Sequence, residues 1–103
     1  MPHFFLKLIP PRPTFALDMN DEERTLMAKH AAYWKAKLTG GDVLVFGPVL
    51  DPKGPYGAGI ISAADEGAAR AFADADPVMS SNRGFICEIH PMQAVVRDAR
   101  AAS

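Results

Sequence analysis

The residues in this 103-residue sequence best suited to acid–base or nucleophilic chemistry are three histidines, His3, His30 and His90, and one cysteine, Cys87. The histidines stand far apart with no HxH, HxxxH or HxxE spacing, so no metal site is expected. Cys87 lies in the apolar run GFICEIHPM and reads as a buried small hydrophobe. His30 is the unusual one. The stretch MAKHAAYWKAKL (27–38) reads as a helix with a buried stripe of Met27, Ala31, Trp34 and Leu38. His30 is three residues from Met27 and four from Trp34, so it joins that stripe and leaves Lys29, Lys35 and Lys37 to a solvated face. An inward imidazole is ordinarily a core residue bonded to a carbonyl or water. Its chemical alternative is a general acid or base, with a carboxylate fixing its tautomer. Asp76 is the candidate carboxylate. With Asp74 it is expected at the carboxyl end of a second helix, where the helix dipole disfavours negative charge by about 0.3–1 kcal/mol. A turn former is the ordinary reading of such an aspartate, but an imidazole from the first helix would relieve its charge.

The elements that must position this pair follow from local signals. HFFLKLI (3–9) is a strand, stopped by Pro10, Pro11 and Pro13, and residues 10–19 form a stiff connector. Asn20 with Glu23 makes a capping box, and Asp21 and Glu22 complement the dipole of a first helix running to Thr39, where Gly40 and Gly41 supply a left-handed stop. DVLVFGPVL (42–50) is a near-continuous apolar run, expected as a strand buried on both faces. DPKG (51–54) fits a type I turn. YGAGIIS (56–62) returns, its glycines leaving room for something bulky or marking a bulge. Asp65 caps the second helix, with Ala68, Phe72 and Ala75 as its apolar stripe, and Pro77 ends it. GFICEIHPM (84–92) is the last strand, and VVRDARAAS is a fraying tail. The order β-α-β-β-α-β predicts an α+β, ferredoxin-like fold: a four-stranded antiparallel sheet with two helices on one face. The chain is expected to be one domain over residues 1–103, with a core of about 3–96 and a tail over 97–103.

Two short helices cover only one face of such a sheet. Yet Phe4, Phe5, Leu6, Leu8, Ile9, Val43 to Phe46, Ile60 and Ile61 place apolar side chains on both faces. A water-facing antiparallel sheet should alternate, and an exposed apolar face is a contact surface. The simplest partner is a second copy related by two-fold symmetry, so a homodimer through the sheet face is expected. A net charge of −1 with no basic cluster argues against a nucleic-acid partner. Apolar runs of six or seven residues are far too short for a bilayer span. No secretory leader is visible, and a lone cysteine fits a reducing cytoplasm.

EERTLMAKHAAYW in the first helix, VFGPVLDPKGPYGAGI across the hairpin and AARAFADADP around the second helix's end together resemble the YciI-related family, over roughly residues 3–96. The recurring features are a helix-1 histidine, a Gly-Pro in the second strand and an Asp-Pro after the second helix, here His30, Gly47–Pro48 and Asp76–Pro77. The resemblance implies a dimeric α+β barrel with a His–Asp active site. Related members of the superfamily are lactone isomerases, small monooxygenases and dehalogenating enzymes. Many members carry an aromatic after Asp-Pro and a basic residue one turn before the histidine; here these positions are Val78 and Met27.

The expected function is therefore small-molecule, cofactor-free acid–base chemistry by His30 and Asp76 on an aromatic or lactone-like metabolite. The alternative is a non-catalytic ligand-binding or structural homodimeric module. Trp34, Phe46, Gly47 and Pro48 are the candidate substrate-binding residues. Core packing is an equal reading for Trp34, and a sheet bulge or kink for Gly47–Pro48. GPYGAG leads into a strand instead of a helix N-terminus, so it is not a phosphate cradle.

Overall fold

Phe4, Leu6 and Leu8 alternate with His3, Phe5 and Lys7 along the first strand, and this period of two divides the molecule into an inner and an outer side. The computed structural model describes residues 1–97. Strands β1 (His3–Ile9), β2 (Val43–Val49), β3 (Tyr56–Ser62) and β4 (Ile86–Met92) form one antiparallel sheet in the order β2-β3-β1-β4. Helices α1 (Phe15–Asp18), α2 (Asp21–Thr39), α3 (Glu66–Asp74) and α4 (Pro77–Ser80) complete the chain. The expected ferredoxin-like arrangement is present, with α1 and α4 as additions. Positions 98–103 of the expected tail lie outside the described residues.

The inner side carries the core. Phe4, Leu6, Leu8, Val43, Ile61 and Cys87 are buried there under Trp34 of α2 and Ala69 and Ala73 of α3. The ends of α2 are made as their sequence dictates. Asn20 Oδ1 accepts from the Glu23 N–H at 2.8 Å, and the Asn20 N–H donates back to Glu23 Oε1 at 2.9 Å, a complete capping box. At the other end only Gly41, at φ 92°, takes the left-handed conformation, while Gly40 stays helical. The Gly41 and Asp42 N–H groups close onto the Leu38 and Lys37 carbonyls, a Schellman arrangement. In the hairpin, the Gly54 N–H donates to the Asp51 carbonyl at 3.0 Å, which closes the DPKG turn.

Four expectations need correction. First, β2 is not buried on both faces: it is an edge strand with Val45 55% exposed. An unbroken apolar run does not distinguish a central strand from an edge strand whose outer face awaits a partner. Secondly, the irregularity in β2 falls between Val43 and Val45, whereas Gly47 and Pro48 stay in register with Ala58 and Gly57. Proline is tolerated there because an edge strand has one side without ladder bonds. Thirdly, the α2 stripe runs out early: Trp34 is buried, Met27 and Ala31 are half-buried, and Leu38 is 42% exposed. A 19-residue helix is about 28 Å long, against about 24 Å for a seven-residue strand, so its last turn overhangs the sheet. Fourthly, α3 buries Ala69 and Ala73 with Phe72 alongside; Ala68 and Ala75 are exposed. The helix is clearly two-sided, but alanines at 68, 69, 71, 73 and 75 offer more than one set of neighbours for Phe72.

Gly59 shows how closely α2 and the sheet approach. It sits opposite Leu6 and Phe46 on the inner side of β3, and the Trp34 ring occupies the space its side chain would fill. A Cβ built on Gly59 would lie 2.3 Å from Trp34 Cζ3 and 2.6 Å from Cη2, which no rigid ring accommodates without moving. Gly59→Ala is therefore expected to lower stability by about 1–3 kcal/mol through overpacking. Urea unfolding followed by tryptophan fluorescence measures this, since Trp34 is the sole tryptophan; an unchanged midpoint would contradict the packing described.

Candidate functional site

Asp76 lies between α3, which ends at Asp74, and α4, which starts at Pro77. Its placement corrects the dipole argument made from sequence. Asp76 is the N-cap of α4, with Oδ1 accepting from the Val78 N–H at 3.1 Å, so its charge faces the favourable end of a helix turn. The following proline is at home in the first helical turn because its missing N–H would be unpaired there anyway. The cap turns Oδ2 toward α2. His30 Nδ1 is 2.7 Å from Oδ2, and Trp34 Nε1–H donates to the same oxygen at 2.7 Å. His30 and Trp34 are one helical turn apart, so both heads reach one atom. Asp76 is only 3% exposed, and its carboxylate receives three N–H groups. A buried charge is tolerable on such terms because each donor replaces a lost water contact. The structure thus brings His30 and Asp76 together, and adds Trp34 as a donor that the sequence did not reveal.

His30 also lines a cleft of about 340 Å³ between α2, the connector and the inner side of the sheet. Trp34, Phe46, Gly47 and Pro48 line the same cleft; Asp76 does not, and stands behind the imidazole. Trp34 combines both roles considered for it, as core residue and as wall. Its ring contacts Phe46 at 5.6 Å and meets Phe72 edge-on at 5.0 Å between centroids. Gly47 pairs with Ala58 on the outward side of the hairpin, two residues after Val45, so it bounds the cleft with backbone alone. Gly57, opposite Leu8 and Pro48, keeps bulk off the inner surface.

The connector contributes a wall that sequence reasoning treated as a mere spacer. Pro10, Phe15, Ala16 and Met19 face the cleft. Arg12 holds this segment to α2: Nη1 and Nη2 donate to the two Glu23 oxygens at 2.8 Å each, and Nε donates to Asp18 Oδ1 at 2.8 Å. Thr14 donates to the other Asp18 oxygen at 2.7 Å. Glu23 therefore caps α2 and anchors the connector at once. Its carboxyl is pulled down to about 2 by the Arg12 guanidinium and then by the Asn20 N–H. The only signal in the sequence was an arginine among prolines near a capping-box glutamate. Arg24, two helical turns before His30, pairs with Asp21 at 3.2 Å on the surface.

Among the described residues, no group of three or more His, Cys, Asp or Glu side chains could hold a metal ion. Cys87 is buried, and burial pushes its thiol up to about 11, so at neutral pH it is a poor nucleophile. No helix among the described residues is long and apolar enough to cross a membrane.

The topology and the layered arrangement define an α+β protein of the ferredoxin-like class, the fold on which dimeric α+β barrels are built. The chain belongs to the YCII-related domain family, whose model matches residues 3–93. Comparison with curated proteins finds no match.

The Arg12–Glu23 anchor makes a pH-dependent contribution whose sign is fixed. Because Glu23 titrates lower in the folded chain than its ordinary 4.5, the contribution is complete above that value and is lost as pH falls toward about 2. Arg12→Ala should lower stability near neutrality and flatten the acid dependence across that window. Denaturant titrations of both proteins between pH 6 and about 2 measure the difference; coincident curves would show that the anchor contributes nothing.

Proposed function

We propose that this chain is a small-molecule enzyme in which His30 and Asp76 perform cofactor-free acid–base chemistry on an aromatic or lactone-like metabolite held in the cleft. The observation that carries the reading is the 2.7 Å contact between a buried carboxylate and an imidazole that also lines an apolar cleft. In this role Asp76 fixes the ring's orientation and tautomer, and the far ring nitrogen exchanges a proton with substrate. Trp34, Phe46, Gly47 and Pro48 shape the space around that nitrogen. Membership of the YCII-related family supports a small-molecule role.

A second reading is favoured by the Trp34–Asp76 bond. The carboxylate already has a structural task in joining α2 to α4, and His30 would then only complete its shell. Turnover separates the two. Against a panel of aromatic alcohols and lactones, His30→Gln and Asp76→Asn should each lower the rate by roughly 10²–10⁴ with the fold retained. The double variant should be little worse than either single one, because groups acting as a unit share one contribution. Folded variants with full turnover would leave a ligand-binding or structural module.

The reading includes a homodimer, placed in the reducing cytoplasm. Phe5, Val45, Ile60 and Ile86 share the sheet side away from the helices, and Val45 and Ile86 are more than half exposed. Such a face suits a second copy related by two-fold symmetry. Light scattering should return twice the 11.1 kDa chain mass, and Ile60→Asp should reduce it to one chain or unfold the protein, since a desolvated unpaired charge costs several kcal/mol. A stable monomer at micromolar concentration would remove this part of the proposal.

A further inference from the structure

The lining of the cleft is unusual in what it lacks. No lysine, arginine, aspartate or glutamate side chain is among its lining residues, and His30 is its one side chain with an uncommitted ring nitrogen. Arg12, on the connector that walls the cleft, has Nε and both Nη groups committed to Asp18 and Glu23. Lys7 is held over the Tyr56 ring at 4.5 Å and does not line the cleft. A carboxylate or phosphate entering this space would shed its water without meeting a counter-charge, which is strongly unfavourable.

The imidazole sets a second condition. Asp76 Oδ2 already accepts the Trp34 N–H, and Oδ1 accepts the Val78 N–H, so the carboxylate acts toward its neighbours as an acceptor. His30 Nδ1 at 2.7 Å is accordingly the protonated nitrogen, and in the neutral ring Nε2 carries the lone pair. No described residue bonds to Nε2, and it is not among buried atoms lacking a partner, so it remains accessible. A ligand group meeting it must donate. The cleft's volume, about 340 Å³, is roughly twice that of a cavity of about 150 Å³ that holds benzene, which suits two fused rings or one substituted ring.

We infer that the cleft takes a neutral, largely apolar ring compound that presents one hydroxyl to His30 Nε2. The inference rests on His30 as the reactive group of the proposed function, and it specifies what that group meets. The step it permits is a proton transfer: the ligand O–H bond breaks, Nε2 gains the proton, and the oxygen keeps the electron pair. The imidazolium so formed faces Asp76 through Nδ1–H.

Calorimetry on the wild-type protein at neutral pH with 2-naphthol, 2-methoxynaphthalene and 2-naphthoate tests this. The three probes share a ring system and differ only in donor, masked donor and charge. 2-Naphthol should bind about tenfold tighter than its methyl ether, as one hydrogen bond allows, and 2-naphthoate should bind weakest. In ¹⁵N spectra, His30 should show a protonated Nδ1 and a bare Nε2, and the Nε2 resonance should move with 2-naphthol but not with the ether. His30→Leu should erase the preference; if that variant does not fold, the wild-type Nε2 resonance decides. Equal affinity for alcohol and ether, tightest binding of the carboxylate, or no binding of any probe would each overturn the inference. Preference for 2-naphthol together with turnover that survives loss of His30 would instead remove the catalytic reading and leave the ligand class intact.

Discussion

One buried carboxylate organises the helical layer. Asp76 caps α4 with one oxygen and gathers His30 and Trp34 of α2 with the other. Desolvating a carboxylate is unfavourable by several kcal/mol, and only converging donors make it tolerable. The position of each donor is therefore constrained by the other two. A shift of α2 along the sheet would strand the indole N–H, and a change in the α3–α4 turn would strand the Val78 N–H. This constraint transmits the local geometry of an Asp-Pro turn into the orientation of an imidazole 46 residues earlier.

Around that carboxylate, size does what charge does not. Gly59 admits the Trp34 ring against the sheet, and Gly57 leaves space beside Leu8 where a side chain would stand. The indole can then reach Asp76 with its N–H while its ring forms a cleft wall beside Phe46. The connector closes the other side because Arg12 spans to Asp18 and Glu23. Bidentate pairing fixes direction as well as distance, which a lysine at this position would not do. The result is an apolar cleft whose polar supports mostly lie behind its surface.

Features carried by near neighbours were legible in the sequence. Strands 3–9 and 56–62, the capping box of Asn20 and Glu23, the Asp65 cap and the DPKG turn all rest on residues within a few positions of one another. Features set by distant partners were not. The run at 42–50 shows apolar character but not its place at the sheet edge. The α3 stripe slips by one residue at its start because alanines surround Phe72. Arg12 finds Glu23 only after the connector has turned back, and nothing local marks it. The His30–Asp76 contact was anticipated for a partly mistaken reason: a disfavoured C-terminal charge was expected, whereas the aspartate is a favoured N-cap. The pairing survives the correction because capping aims Oδ2 at α2.

That correction bears on why an imidazole stands at position 30. The N-cap bond and the indole bond supply two of the three donors that Asp76 gathers, and His30 supplies the third. For that task one N–H suffices, and a second polar atom facing the cleft adds nothing. The imidazole has one nitrogen fixed by a carboxylate and the other open to an apolar space. For packing alone that arrangement is less favourable than a hydrocarbon, because the open nitrogen loses water when the cleft fills and regains it only from a donor on the occupant. The same property is what a general base needs, since its proton acceptor must be oriented before the substrate arrives. The geometry is thus better matched to a ligand with a proton to share than to an empty core.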